Sequence, residues 1–81
     1  MNRVEEFITE YIQREYTIPQ EVDIFSLNYI ESGYIDSLGL LQFVATIEDE
    51  FGIEFSDEEL ESLDIKVVGT LIRMIERKID A

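Results

Sequence analysis

The segment from Gly33 to Phe51 restricts the possible folds more than any other part of the chain. It begins as the turn-like stretch Gly33-Tyr34-Ile35-Asp36-Ser37-Leu38-Gly39 and continues as an apolar repeat at helical spacing. Either Asp36 or Ser37 can cap the first helical turn, and Gly52 lies where a left-handed C-cap is expected. The pattern predicts a helix from residue 36 or 37 to residue 51, with a buried stripe made of Leu40, Leu41, Phe43, Val44, Ile47 and Phe51.

Three further segments carry helix signals. Residues 2–15 repeat apolar side chains at helical spacing, and Pro19 follows their end. Ser56-Asp57-Glu58-Glu59 matches a capping box, which predicts a short third helix anchored by Leu60 and Leu63. Asp64 is expected to cap a fourth helix, whose apolar repeat is Val68, Leu71, Ile72, Ile75 and Ile79.

These signals predict an all-α fold, a four-helix bundle with three long helices and one short helix. Residues 16–36 form a long loop between helices I and II, and residues 23–27 are expected to make a short turn that packs on the core. A length of 81 residues fits a single domain spanning residues 1–81. The expected core consists of Phe43, Val44, Ile47, Phe51, Phe55, Leu60, Leu71 and Ile75.

The charge distribution limits the partners that the chain can bind. The net charge is −13, and no Lys or Arg lies between Arg14 and Lys66. Such a negative field repels nucleic acid and anionic lipid and favours basic protein surfaces. No segment approaches the roughly 20 apolar residues of a membrane-spanning helix, and the first residues do not resemble a signal peptide. We therefore expect a cytoplasmic monomer that binds no nucleic acid and does not insert into membranes.

The residue types argue against catalysis and against a metal site. The chain has no His and no Cys, so a Ser-His-Asp hydrolase and the usual zinc ligand sets are excluded. The acidic runs lack the ligand spacing of a calcium-binding EF-hand loop. We expect neither an enzyme nor a metalloprotein.

Ser37 stands at the predicted start of the second helix, and two interpretations fit it. It can be an ordinary N-cap, or its hydroxyl can carry an anionic group, which the free N–H groups of a helix N-terminus would stabilise. At about 100° per residue, Leu38, Gln42, Ala45 and Asp49 lie on the outer side of this helix, with Leu41 and Glu48 at its edge. An apolar side chain beside the Ser, followed by acids, is typical of a docking helix.

The chain resembles the acyl carrier protein family in these residues. The resemblance rests on Asp36-Ser37-Leu38, on the helix ending Glu48-Asp49-Glu50-Phe51-Gly52-Ile53-Glu54-Phe55, and on the acidic Ser-Asp-Glu-Glu-Leu segment at residues 56–60. It implies that Ser37, flanked by Asp36 and Leu38, receives 4′-phosphopantetheine from coenzyme A through a phosphopantetheinyl transferase. The implied partners also include a loading ligase and acyl-transferring enzymes, and the implied docking residues are Leu38, Gln42, Ala45, Glu48, Asp49 and Asp57.

Three positions depart from many carriers of fatty-acid synthesis. Gly39 stands where these have an acid, Gln42 where they often have Glu, and Ala45 where they often have Met. The departures favour a dedicated carrier of a specialised acyl or aminoacyl pathway over a housekeeping one. The alternative, from another functional class, is a small acidic adaptor or inhibitor that binds basic protein surfaces, which explains the charge but gives Ser37 no role.

Overall fold

The structure is a computed structural model that describes residues 2–80, and these residues form an all-α fold. The four α-helices are α1 (Arg3–Glu15), α2 (Ser37–Phe51), α3 (Asp57–Glu61) and α4 (Val68–Asp80). Two single 3₁₀ turns, Ile24–Ser26 and Leu63–Lys66, lie in the connections before α2 and α4. The prediction of three long helices, one short helix and a long loop between the first two is confirmed.

The predicted caps of α2 and α3 operate as the sequence indicates. The structure adds an N-cap at the start of α1, where the side chain of Asn2 accepts a hydrogen bond from the Glu5 N–H. Ser56 and Glu59 form both hydrogen bonds of the capping box at the start of α3. Gly33 and Gly52 have positive φ angles of 81° and 66°, and Gly52 closes α2 as a left-handed C-cap. Each capping residue lies within a few residues of the groups it caps, so the local sequence is enough to indicate the cap.

The start of α4 differs from the prediction, because Asp64 does not cap it. Residues Leu63–Lys66 form a 3₁₀ turn, and α4 begins at Val68. The loop before α2 pairs with this connection: the Tyr29 N–H donates to the Lys66 carbonyl at 3.2 Å, and the Val68 N–H donates to the Leu27 carbonyl at 3.1 Å. This pairing holds Val67 in an extended conformation, so the helix cannot begin earlier.

The core lies between α1, α2 and α4 and is closed by the long loop. Of the expected core residues, Phe43, Val44, Ile47, Phe55, Leu71 and Ile75 are buried. Phe51 and Leu60 are only partly buried and pack against the edge of the core. Tyr29 and Ile35 of the loop and Ile65 of the second 3₁₀ turn are buried although the sequence pattern did not single them out.

Two leucines that we predicted to be buried are exposed. Leu41 of α2 is 60% exposed and Leu63, the expected anchor of α3, is 75% exposed. Leu63 faces outward because it opens the 3₁₀ turn, in which Ile65 is the residue that reaches the core. Within residues 2–80, no helix has both the length and the apolar content that crossing a membrane requires.

Candidate functional site

The candidate site is the first turn of α2, where Asp36 rather than Ser37 is the N-cap. Asp36 is extended, and its Oδ1 accepts a hydrogen bond from the Gly39 N–H at 2.7 Å. Ser37 is the first residue of the helix and is exposed. No hydrogen bond to Ser37 Oγ is found among residues 2–80. Because the Asp36 carboxylate is the cap, the Ser37 hydroxyl takes no part in capping α2.

The turn before Ser37 is fixed to the core. Ile35 is only 4% exposed, and its N–H donates to the Tyr29 carbonyl at 3.1 Å. Earlier in the loop, Asn28 Oδ1 accepts hydrogen bonds from the N–H groups of Ile30 and Glu31. The exposed Ser37 therefore follows an anchored segment, which presents its hydroxyl in a defined place.

Gly39, one of the departures noted above, lies in a closely packed position. A Cβ at this residue would lie 2.9 Å from Ile35 Cγ1, 3.2 Å from Asp36 Oδ1 and 3.5 Å from Tyr16 Oη. Burial is the main cause that raises the pKa of the Tyr16 hydroxyl, and the nearby charges of Glu15 and Asp36 raise it further. A neutral phenol thus lies beside the first turn of α2 at ordinary van der Waals distance from a Cβ at residue 39, and Ile35 makes the closest contact there.

The outer face of α2 exposes most of the predicted docking residues. Leu38 is 65% exposed, and Gln42, Ala45 and Asp49 are also exposed. Leu41 joins Leu38 there and was missed as a surface residue, although its place at the edge of the outer face in the helical projection could have revealed it. The first turns of α2 therefore expose a pair of leucines beside Ser37.

The acidic end of this face is divided between structural and unpaired carboxylates. Glu48 is half-buried, and its Oε2 accepts a hydrogen bond from the Phe55 N–H at 2.9 Å. Glu50 forms an ion pair with Arg3 at 3.3 Å. Asp49 on α2 and Asp57 at the start of α3 are exposed, and neither forms an ion pair within residues 2–80.

The carboxylate of Glu59 is held by a cation from α4. The Lys78 Nζ lies 2.7 Å from Glu59 Oε1. This hydrogen bond is the largest cause that lowers the pKa of Glu59, and the hydrogen bond from the Ser56 N–H is the next largest. In the part of the chain that the structure describes, no group of three or more acidic side chains is arranged to hold a metal ion.

The geometry at Ser37 suits a covalently attached phosphate. The first N–H groups of a helix have no acceptor within the helix. Here the Asp36 side chain accepts from the Gly39 N–H, and the Asp36 backbone carbonyl accepts from the Leu40 N–H. The N–H groups of Ser37 and Leu38 remain beside the hydroxyl. They and the positive end of the helix dipole would stabilise a phosphodiester on Ser37 Oγ, within a chain that is otherwise strongly negative.

Comparison with known proteins places the chain in a family. A family model described as a phosphopantetheine attachment site matches residues 6–75. An acyl carrier protein of Buchnera aphidicola subsp. Acyrthosiphon pisum is 35% identical over 78 residues, which cover 96% of this chain and 95% of the relative. The chain belongs to the acyl carrier protein family.

Other relatives carry the same name. The acyl carrier protein of Lactobacillus acidophilus is 31% identical over 68 residues, 84% of this chain and 82% of the relative. An acyl carrier protein homolog of Mycoplasmopsis pulmonis is 52% identical over 44 residues, 54% of this chain and 58% of the relative. No solved structure matched the chain.

Membership of this family identifies the prosthetic group and the class of protein. A member of this family carries phosphopantetheine, and it is a carrier that enzymes act upon rather than an enzyme. Its partners are a phosphopantetheinyl transferase and enzymes that handle acyl groups. The exposed hydroxyl and free helix N-terminus at Ser37 fit the attached group on physical grounds.

Proposed function

We propose that Ser37 is the attachment residue, and that its 4′-phosphopantetheine arm carries acyl or aminoacyl groups as thioesters between partner enzymes. The observation that carries the proposal is the division of roles at the start of α2. Asp36 caps the helix through Gly39, so the exposed Ser37 hydroxyl has no structural hydrogen bond to give up. Asp36 and Leu38 flank it as the nearest contacts for a transferase.

The attachment step needs a base that this chain does not supply. Ser37 Oγ would form a bond to a phosphorus of coenzyme A while the pyrophosphate bond breaks and the nucleotide half leaves. The hydroxyl proton would pass to the transferase, whose bound Mg²⁺ would assist the leaving group. Since the chain contains no His, its own contribution is to hold the hydroxyl exposed at a helix N-terminus.

The partner surface in this proposal is the outer face of α2 and the start of α3. Leu38 would enter an apolar pocket of the partner, with Gln42 and Ala45 forming a flat contact beside it. Glu48, Asp49 and Asp57 would orient a basic partner surface. Of these acids, Glu48 has a hydrogen bond to the Phe55 N–H, so we expect Asp49 and Asp57 to contribute more to partner binding.

A specialised pathway fits this chain better than general fatty-acid synthesis. Gly39 has no side chain to offer, and Ile35 and Asp36 occupy the space where one would begin. A partner that recognises an acid at this position would find none. Within the proposal, residues 1–81 act as one carrier domain, monomeric and cytoplasmic; size-exclusion chromatography and cell fractionation test these two properties.

Intact mass spectrometry tests the attachment residue. Incubation with coenzyme A and a promiscuous phosphopantetheinyl transferase should add the mass of one phosphopantetheine. Ser37→Ala should abolish the addition, whereas Ser32→Ala, at an exposed Ser of the loop before α2, should leave it unchanged. Modification of the Ser37→Ala protein would assign the attachment elsewhere. An acidic adaptor would gain no mass and would retain its partner in the Ser37→Ala variant.

A further inference from the structure

Three rings pack together in the bundle, Tyr29 and Phe43 within the core and the partly buried Tyr11 at its edge, and we call them the aromatic layer. Phe43 of α2 is completely buried. The ring of Tyr11 from α1 stacks on it with 4.4 Å between centroids and 15° between planes. The ring of Tyr29 from the long loop meets it edge-on at 5.9 Å and 80°. The layer therefore joins three separate segments of the chain.

Tyr29 binds this layer to a fourth segment. Its hydroxyl donates to the Ile65 carbonyl in the second 3₁₀ turn, and its N–H donates to the Lys66 carbonyl at 3.2 Å. Burial raises the pKa of the Tyr29 hydroxyl far above its ordinary value, so the group stays a donor. Moving the ring aside would leave a buried hydroxyl and a buried carbonyl without partners, which is costly in a protein interior.

The aromatic layer contains the second core-facing position of α2 after Ser37. The core-facing positions that follow Ser37 along α2 are Leu40 and then Phe43, so a chain entering the bundle from Ser37 meets Phe43 within two turns. Four crevices among residues 2–80 are open at the surface, and no residue of the aromatic layer lines any of these four. The largest of the four, of about 530 Å³, lies between α3 and α4.

We propose that this carrier keeps its cargo outside the bundle, and that the cargo is a short or polar acyl or aminoacyl group. The inference rests on the proposed attachment at Ser37 and extends it to the class of cargo. A long alkyl chain that cannot enter the core stays in contact with water, which is unfavourable in proportion to its apolar area. A short or polar group needs no such shelter. Entry of a longer chain requires the aromatic layer to separate.

A series of cargoes of increasing length tests this inference. The protein is loaded with acetyl-, octanoyl- and dodecanoyl-phosphopantetheine, and mass spectrometry confirms each product before further measurement. We expect the amide shifts of Phe43, Ile47 and Ile65 to be the same for all three cargoes, with changes confined to residues near Ser37. We also expect hydroxylamine to cleave the three thioesters at equal rates, since none is shielded.

Interior amide shifts that grow with chain length, together with slower cleavage of the longer thioesters, would overturn the inference. These results would leave Ser37 attachment intact, whereas failure to load any cargo on Ser37 would refute the proposed function itself. The two failures are therefore distinguishable in one experiment.

A substitution in the aromatic layer tests the physical reason. Phe43→Leu removes a ring from the layer, and we expect the dodecanoyl cargo then to shift interior amides that it leaves unchanged in the wild type. Phe25→Leu, at a partly exposed Phe outside the layer, is the matched control and should behave as the wild type. A folded Phe43→Leu protein whose interior ignores the dodecanoyl chain would show that the layer is not what excludes cargo. If Phe43→Leu does not fold, the wild-type series alone decides.

Discussion

The division of roles between Asp36 and Ser37 makes a prediction that stability measurements can refute. Asp36 accepts the Gly39 N–H at 2.7 Å as N-cap of α2, and Ser37 makes no comparable bond. Asp36→Ala should therefore destabilise the fold, whereas Ser37→Ala should not, although the two residues are adjacent and equally placed in the sequence pattern.

The expected magnitude follows from the lost cap. Replacing an N-cap Asp with Ala costs about 1 kcal/mol, within a range of roughly 0.5–2. For a domain of this size, each kcal/mol lowers the melting temperature by about 4–8 °C. Ser37→Ala removes no hydrogen bond of the fold and places a better helix former in the first turn, so the change should stay within about 0.5 kcal/mol.

Two further variants separate capping from charge. Asp36→Asn keeps a side-chain oxygen that can accept a hydrogen bond from the Gly39 N–H. It should therefore lose only the attraction between the Asp36 carboxylate and the helix dipole, about 0.3–1 kcal/mol. Asp49→Asn removes an exposed acid of the same helix without a cap and should be neutral or slightly stabilising, because it reduces the repulsion within a chain of net charge −13. Urea unfolding followed by circular dichroism measures all four. A Ser37→Ala loss as large as that of Asp36→Ala would refute this account of the site.

Three other predictions follow from the packing and the ion pairs. Phe43→Ala should lower the free energy of unfolding by about 3–5 kcal/mol and Phe51→Ala by less, because Phe43 is fully buried and Phe51 only partly. Urea unfolding that finds the larger loss for Phe51→Ala would contradict this description of the core. Gly69→Ala should destabilise the fold and lower its melting temperature, because a Cβ there would lie 2.8 Å from the Phe25 carbonyl oxygen. The overpacking costs about 1–3 kcal/mol, against a gain of about 1 kcal/mol in helix propensity. An unchanged or raised melting temperature would show that the backbone adjusts to the extra methyl group without cost. Lys78 lowers the pKa of Glu59. The pair therefore stabilises the fold at pH values above the ordinary Glu pKa, and this stabilisation is lost as the pH falls through the lowered pKa of Glu59. The stability difference between wild type and Lys78→Gln should therefore shrink from about pH 7 to about pH 3, and a difference that is independent of pH would refute the pairing.

The candidate site was predictable to the extent that its signals are local. The helix start at Asp36-Ser37, the apolar stripe and the exposed Leu38 follow from periodicity and from the chemistry of a helix N-terminus. The sequence left open whether Asp36 or Ser37 is the cap, because both side chains can accept the same hydrogen bond. Only the hydrogen bond between Asp36 and Gly39 resolves that choice.

The misplaced residues are those whose environment depends on distant segments. Leu63 was expected to anchor α3, but the adjoining 3₁₀ turn directs Ile65 inward instead. Phe51 lies at the edge of the core, where it meets Phe7 edge-on at 5.3 Å and the guanidinium of Arg3 at 5.0 Å. Glu48 fits the helix projection as a docking acid, yet its carboxylate accepts a hydrogen bond from Phe55 seven residues later.

The sequence by itself determined the helices, their local caps and the family resemblance around Ser37, because each depends on spacings within one or two turns of chain. The tertiary structure alone decided where α4 begins and which rings pack in and around the core. These depend on contacts such as the Tyr29–Lys66 backbone hydrogen bond and the stacking of Tyr11 on Phe43. Such contacts join residues far apart in the chain, and no local pattern specifies which distant groups will meet.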